Sequence, residues 1–338
     1  MTTYFLRRLL WLIPVLITVS LVTFTIMHNA PGSPWDATGE GRRALDASTQ
    51  QKLETFYGLD KPIWRQFIAY TFGDFNNKGK FECGAMCGNL GPSYRQKGLT
   101  VQQILFSAFG DNIGKSGEFW YSRFGYSLRL GLLALGLAIS VGIPIGMIAA
   151  LRQNTWVDYM GLGATTIGVS IPSFVLGLFL IIIFATWLDW INVIPKTWSE
   201  IKYWILPAVA LGFNTCSFTA RLTRAAMLEV MRQDFVRTAR AKGLAERIVV
   251  IGHMLKNALI PVVTILGPAL AGLVTGSFII ETIFSFPGMG RAYVLSIAQR
   301  DYSMIMGTTL IYALLIAIAN LSVDFVYVLI DPRIRLEE

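Results

Sequence analysis

The stretch LGLLALGLAISVGIPIGMIAAL, residues 130–151, contains no Lys, Arg, Asp or Glu. It is long enough to cross a hydrocarbon core, which takes about 20 helical residues. Backbone groups in lipid must satisfy their own hydrogen bonds, so a run of this kind is a helix. Five more runs without those charges accompany it, at residues 9–27, 159–188, 203–220, 258–280 and 302–323. The short alternating segments of a closed barrel are absent. The expected fold is therefore an all-α integral membrane protein with six transmembrane helices.

Composition agrees. The 338 residues are 54% hydrophobic and 15% charged, with a mean hydropathy of +0.52. Soluble domains carry about a quarter charged residues. The net charge of +8 forms no single basic face, which argues against nucleic acid. Instead the cations sort by loop. Arg7 and Arg8 precede the first run, and Arg152 follows the second. Eight cations from Arg221 to Lys256 separate the fourth from the fifth, and Arg333 and Arg335 lie in the tail. With six crossings these sites share one side, the cytoplasm, and so do both termini. The first run follows two arginines but is long for a secretory signal and lacks a clear cleavage site, so it reads as a retained helix.

The chain divides into an N-terminal helix (1–30), an extracytoplasmic insertion (31–124), a five-helix core (125–330) and a short cytoplasmic tail (331–338). In the insertion, helices are expected over about 48–56, capped by Ser48 or Thr49 and stopped by Gly58, and over 62–72; residues 73–91 read as loop. Cys83 and Cys87 lie here, where a disulfide can form; two thiols without a role is the alternative. Cys216 reads as an ordinary small residue of the fourth helix. Gly142-x-x-x-Gly146 and Gly272-x-x-x-Gly276 place small residues on one face, where helices pack closely. Pro144, Pro172, Pro207, Pro261 and Pro268 can kink their helices.

No catalytic constellation emerges. His28 and His253 lie far apart, no cluster has metal-ligand spacing, and no Gly-x-Ser-x-Gly elbow occurs. The string at residues 110–116, Gly-Asp-Asn-Ile-Gly-Lys-Ser, imitates the end of a phosphate loop, but three residues rather than four separate its glycines. The chain thus has no visible means of hydrolysing ATP. Acids stand only at span ends, Asp158, Glu281 and Asp324, and read as interfacial caps or packing partners, with a functional role as the alternative. No charged pathway crosses the membrane, and no substrate-pathway residue can be named.

The basic segment 221–256 is the most informative text. Asp234 can cap a short helix and Gly243 can end it. Phe235, Ala239 and Ala241 interleave with cations, a surface suited to a partner's groove, although lipid headgroups would also attract it. This segment resembles the EAA motif of ABC-importer permeases in its peptide-permease form. The resemblance runs along nearly the whole chain, through Ala30-Pro-Gly-Ser-Pro34, Gly91-Pro-Ser-Tyr94, Ala150-Leu-Arg-Gln-Asn-Thr155, Asp158-Tyr159, Ile171-Pro-Ser-Phe174, Arg221-x-x-Arg224, Glu281-Thr-Ile-Phe284, Pro287-Gly-Met-Gly290, Arg300-Asp-Tyr-Ser303 and Asp331-Pro-Arg-Ile334. Residues 78–88 and 110–121 look inserted relative to that pattern.

The resemblance implies the type I permease fold of these importers, in a bacterial or archaeal inner membrane. It implies a coupling helix formed by Asp234, Phe235, Arg237, Thr238, Ala239, Arg240, Ala241, Lys242, Gly243 and Leu244, seated on an ATP-binding subunit. The motif's glycine falls on Gly243, its glutamate position on Arg237 and its first alanine on Thr238. It further implies a second homologous permease subunit, two ATPases that hold ATP and Mg, and an extracytoplasmic peptide-binding protein; this chain itself carries no cofactor. The rival readings are an ion-coupled secondary transporter, which predicts buried charges and inverted repeats, a receptor or scaffold, and a same-family importer of nickel complexes or sugars.

Overall fold

The computed structural model describes residues 2–32, 34–35, 47–75, 79–96, 98–108, 118–192, 194–195, 197–275 and 277–330. The phosphate-loop-like string at 110–116, Gly276 and the tail at 331–338 lie outside them. In chain order the elements are α1 (Thr2–Asn29), α2 (Ala47–Tyr57), α3 (Ile63–Thr71), β1 (Gly73–Phe75), β2 (Phe81–Cys83), α4 (Val101–Phe106), α5 (Arg123–Leu151), α6 (Trp156–Ser170) and α7 (Ser173–Ile181). There follow α8 (Lys202–Val230), α9 (Asp234–Ala241), α10 (Glu246–Ile248), α11 (Lys256–Thr275), α12 (Phe278–Ile283), α13 (Met289–Gln299) and α14 (Tyr302–Ile330). The chain forms two compact units, residues 1–126 with 287–317, and residues 127–286 with 318–338.

Among the described residues, four helices are long and apolar enough to cross a membrane: Leu6–Asn29, Arg123–Leu151, Glu246–Ile283 and Tyr302–Ser322. A fifth span arises if α6 and α7 with its continuation to Trp187 count as one, although they meet at 101°. The run at 159–188 is therefore not one straight helix. Pro172 denies the backbone an amide and holds Ile171 extended, at φ −82° and ψ 122°, as the residue before a proline prefers. The run at 203–220 lies inside α8, whose Asn214, Thr215, Ser217 and Thr219 dilute its hydropathy.

In the first unit, α2 and α3 lie where expected, with Pro62 and Phe72 flanking α3. Gly58 follows α2 at φ +68°, a conformation that suits glycine. The stretch 73–91 is more than loop. Its β1 and β2 pair antiparallel with Asp74 opposite Glu82, and a 3-10 turn at Ala85–Cys87 follows. Cys83 and Cys87 are joined by a disulfide, their Cα atoms 5.9 Å apart. Thr100 caps α4 through a reciprocal box with Gln103. The strings Gly91–Tyr94 and Arg300–Ser303, far apart in sequence, meet here. Asp301, 3% exposed, accepts from the Ser93 hydroxyl and from the amides of Tyr94, Arg95 and Met304 at 3.1, 3.4 and 3.2 Å. Arg95 in turn donates to the carbonyls of Gln299 and Pro34, both at 2.7 Å.

In the second unit, α8 is the helix on which α6, α7 and α11 pack. The glycine pair of α5 also meets α8. A Cβ at Gly142 would lie 2.7 Å from the Cys216 carbonyl oxygen, and one at Gly146 would overlap that of Ala220. Glycine here is what lets two backbones touch. Gly272, in contrast, has nothing within 4 Å of such a Cβ. Glu281 is fully buried and accepts from the Ser127 and Ser277 hydroxyls at 2.7 and 2.5 Å.

Candidate coupling site

The segment between α8 and α11 is built on one apolar cluster. Ala150 from α5, Ala226 and Met227 from α8, Val236 and Ala239 from α9, and Val249, Val250 and Met254 from the π-helical turn Val249–Leu255 bury together. Val236 and Ala239 stand three residues apart, so one face of α9 holds both against the unit. The opposite face is open. Phe235 and Leu244 are 42% and 38% exposed, and Asp234, Arg237, Thr238, Arg240, Ala241, Lys242 and Gly243 are exposed too.

Both ends of α9 have specific geometry. Gln233, extended at φ −74° and ψ 148°, occupies the N-cap position. Asp234 is therefore the first helical residue rather than the cap. Its carboxylate, near the positive end of the helix dipole, lies 3.6 Å from Arg237, and its carbonyl accepts from the Thr238 hydroxyl at 3.0 Å. At the other end Lys242 is the C-cap, and Gly243 follows at φ +72°. The Gly243 amide donates to Arg240 and the Leu244 amide to Ala239. These two bonds, 5→2 and 6→1, make a Schellman cap, whose left-handed residue is usually glycine.

Two contacts support this platform. Arg240 holds Glu246 at 2.6 and 3.1 Å, tying α9 to α10. Deeper, Asp158 of α6 receives a two-pronged guanidinium from Arg224 of α8, Nε to Oδ1 at 2.6 Å and Nη2 to Oδ2 at 2.7 Å. The Asn154 amide adds a third bond at 3.0 Å. Arg224 lies two residues before Ala226 and three before Met227, so α8 carries this clamp into the floor beneath α9. The sequence reading named Asp158 and the Arg221–Arg224 string without pairing them. It assigned no role to Val236 or Glu246. Val236 was detectable as the i−3 partner of Ala239, whereas Glu246, across a turn from Arg240, follows no helical spacing.

This constellation defines a multi-pass helical membrane protein that carries a short, rigidly capped surface helix between two of its longest helices. The chain belongs to the family described as binding-protein-dependent transport system inner membrane component, whose pattern matches residues 142–336. The corresponding N-terminal family matches residues 1–113. The chain is 36% identical to the dipeptide transport system permease protein DppB of Bacillus subtilis, covering 100% of this chain and 99% of that one. It is 38% identical to the oligopeptide transport system permease protein OppB of Salmonella typhimurium, covering 99% and 100%. A crystal structure of an amino acid ABC transporter is similar at a TM-score of 0.44 and 18% identity, over 62% of this chain and 90% of that one.

Proposed function

We propose that this chain is the permease subunit of an ATP-driven importer that carries oligopeptides or dipeptides into the cytoplasm by alternating access. Six crossings serve it: α1, α5, the bent α6–α7 pair, α8, α11 and α14. Both termini and the 221–256 segment face the cytoplasm, by the distribution of Arg and Lys, and residues 31–124 face outward. A second homologous permease, two ATP-binding subunits and an extracytoplasmic binding protein complete the machine. ATP and Mg stay on the partner subunits.

One observation carries the mechanism. α9 is pinned to its own unit by Val236 and Ala239, yet it presents Phe235, Arg237 and Leu244 outward. A push on that outer face is delivered through a rigid body to α8 and, by Arg224–Asp158, to α6. Gly243 offers the sharpest test. A Cβ there meets nothing within 4 Å, so the first atom of the side chain in Gly243→Phe adds left-handed strain of roughly 1–3 kcal/mol rather than a clash. Membrane insertion is expected to persist while peptide uptake by the reconstituted transporter fails. Uptake equal to that of the unaltered chain would sink the coupling role.

A further inference from the structure

Helix α3 is nine residues long and is fixed at the end of a membrane span. Phe67 meets Phe24 of α1 edge to face, ring centres 5.4 Å apart, and Phe67 and Tyr70 pack against Phe24 and Met27. Tyr302, the first residue of α14, joins the same cluster and stands 5.4 Å from His28, ring centre to ring centre. Two spans therefore end where α3 sits. The apolar run of α1, residues 9–27, is about 28 Å long as helix, close to the roughly 30 Å of a hydrocarbon core. Phe24 to His28 thus mark the boundary between hydrocarbon and headgroups.

Around α3 the other sides differ. The Gln66 amide oxygen accepts from the His28 imidazole at 3.1 Å, and its NH₂ donates to the carbonyls of Leu59 and Lys61 at 3.0 and 2.7 Å. His28 lies a turn beyond Phe24 along α1, so the Gln66 side of α3 faces the headgroups. Ile68 stands two residues on, about 200° round the helix. With Trp64 and Phe72 it forms a stripe at i, i+4 and i+8, and the three are 66%, 45% and 47% exposed. Being opposite Gln66, this stripe is turned toward the hydrocarbon. Its Trp and Phe suit the boundary between acyl chains and water. We propose that α3 lies in the membrane interface, with Trp64, Ile68 and Phe72 seated in the phospholipid of the outer leaflet, as amphipathic interfacial helices are. A soluble partner would have to reach a face turned toward the bilayer. The proposal rests on α1 being a span whose Asn29 end faces outward, and it requires neither an ATPase nor cargo movement.

The test places single nitroxide labels on the full chain in nanodiscs of phosphatidylethanolamine and phosphatidylglycerol. Trp64→Cys, Ile68→Cys and Phe72→Cys are labelled one at a time in a Cys216→Ala background, without reductant, so that the Cys83–Cys87 disulfide stays closed. All three sites are exposed, so the label displaces little packing. Relaxation by oxygen, which partitions into lipid, is compared with relaxation by a water-soluble nickel chelate. Ile26→Cys on α1, 67% exposed, is the lipid reference, and Lys52→Cys on α2, also exposed, is the water reference. The oxygen-to-nickel ratio at all three α3 sites is expected to be several-fold above that at Lys52 and to approach that at Ile26. In the unaltered chain, a phospholipid with a photoactivatable diazirine at its upper acyl chain is expected to mark residues 63–72. Nickel access at the α3 sites equal to that at Lys52, or no lipid adduct on 63–72, would overturn the proposal and leave the stripe to a soluble partner. Nickel access at Ile26 as well would fail the reading of α1 as a span, and the proposal with it.

Discussion

Two buried aspartates, one in each unit, solve the same problem differently. Asp158 is 1% exposed and Asp301 is 3% exposed, and neither can be left without partners at that depth. Asp158 meets a full positive charge, the two-pronged Arg224. Asp301 meets a serine hydroxyl and three main-chain amides drawn from residues 93–95 and from the first turn of α14. The first arrangement concentrates the compensation in one side chain and fastens helix to helix. The second spreads it over many neutral donors and fastens a loop to a helix start. Loss of one donor should therefore be severe in the first case and graded in the second.

The largest effect is expected at Arg224. Arg224→Ala strands a buried carboxylate, which destabilises by about 3–5 kcal/mol, read as a shift in the unfolding midpoint in detergent. Adding Asp158→Ala should recover much of that loss, because no unpaired charge then remains. A double variant as unstable as the single one would show that the clamp acts by packing, and the contrast with Asp301 would fail. Asp301→Asn comes next. It keeps the size but turns an amide NH₂ toward a cradle of donors, with an expected loss of about 1.5–3 kcal/mol. Ser93→Ala removes one donor of four and should take only about 1 kcal/mol. If Ser93→Ala matched Arg224→Ala, the graded behaviour assigned to the neutral cradle would be wrong.

Both aspartates belong to strings that the sequence marks, yet their pairings were not legible there. Periodicity reports neighbours within a helix, whereas Arg224 and residues 93–95 come from different elements, more than sixty residues from Asp158 and more than two hundred from Asp301. What periodicity does report came through. Four of the apolar runs lie, among the described residues, in helices long and apolar enough to cross a membrane, and the Gly142–Gly146 face packs on a neighbouring backbone. The same spacing at Gly272 meets nothing, because a small-residue pair states only that close approach is allowed. The β1–β2 ribbon escaped because three-residue strands carry no readable alternation. The cap at α9 was displaced by one residue: Asp234 has capping chemistry, but its backbone is already helical and Gln233 takes the extended turn. Gly243 was legible for the opposite reason. A glycine after a basic helical run answers to a single backbone requirement, a positive φ, and needs no distant partner to be recognised.

The smallest expected effect belongs to a third aspartate, which tests whether burial is what separates the other two. Asp74 bonds Lys61 at 2.8 Å, with Arg65 at 3.9 Å, but their side chains are 27%, 37% and 53% exposed. The hydrogen bond from Lys61, then that from the Phe75 amide, holds the Asp74 carboxyl below the ordinary carboxylate range. A lowered folded-state value means that the ionised form is favoured in the fold. The contribution is thus complete above the unfolded value, about 3.9, and disappears as pH falls through the folded one. Water screens such a pair, so Lys61→Met should lower stability by no more than about 1 kcal/mol near neutral pH. That penalty should vanish in strong acid, where Asp74 is protonated in both proteins. Thermal unfolding of the two chains across that pH range gives the answer. A penalty that stayed constant into acid would belong to the lysine's hydrocarbon stem, and a neutral-pH penalty as large as that of Arg224→Ala would mean that charge pairing, not burial, sets the order among the three aspartates.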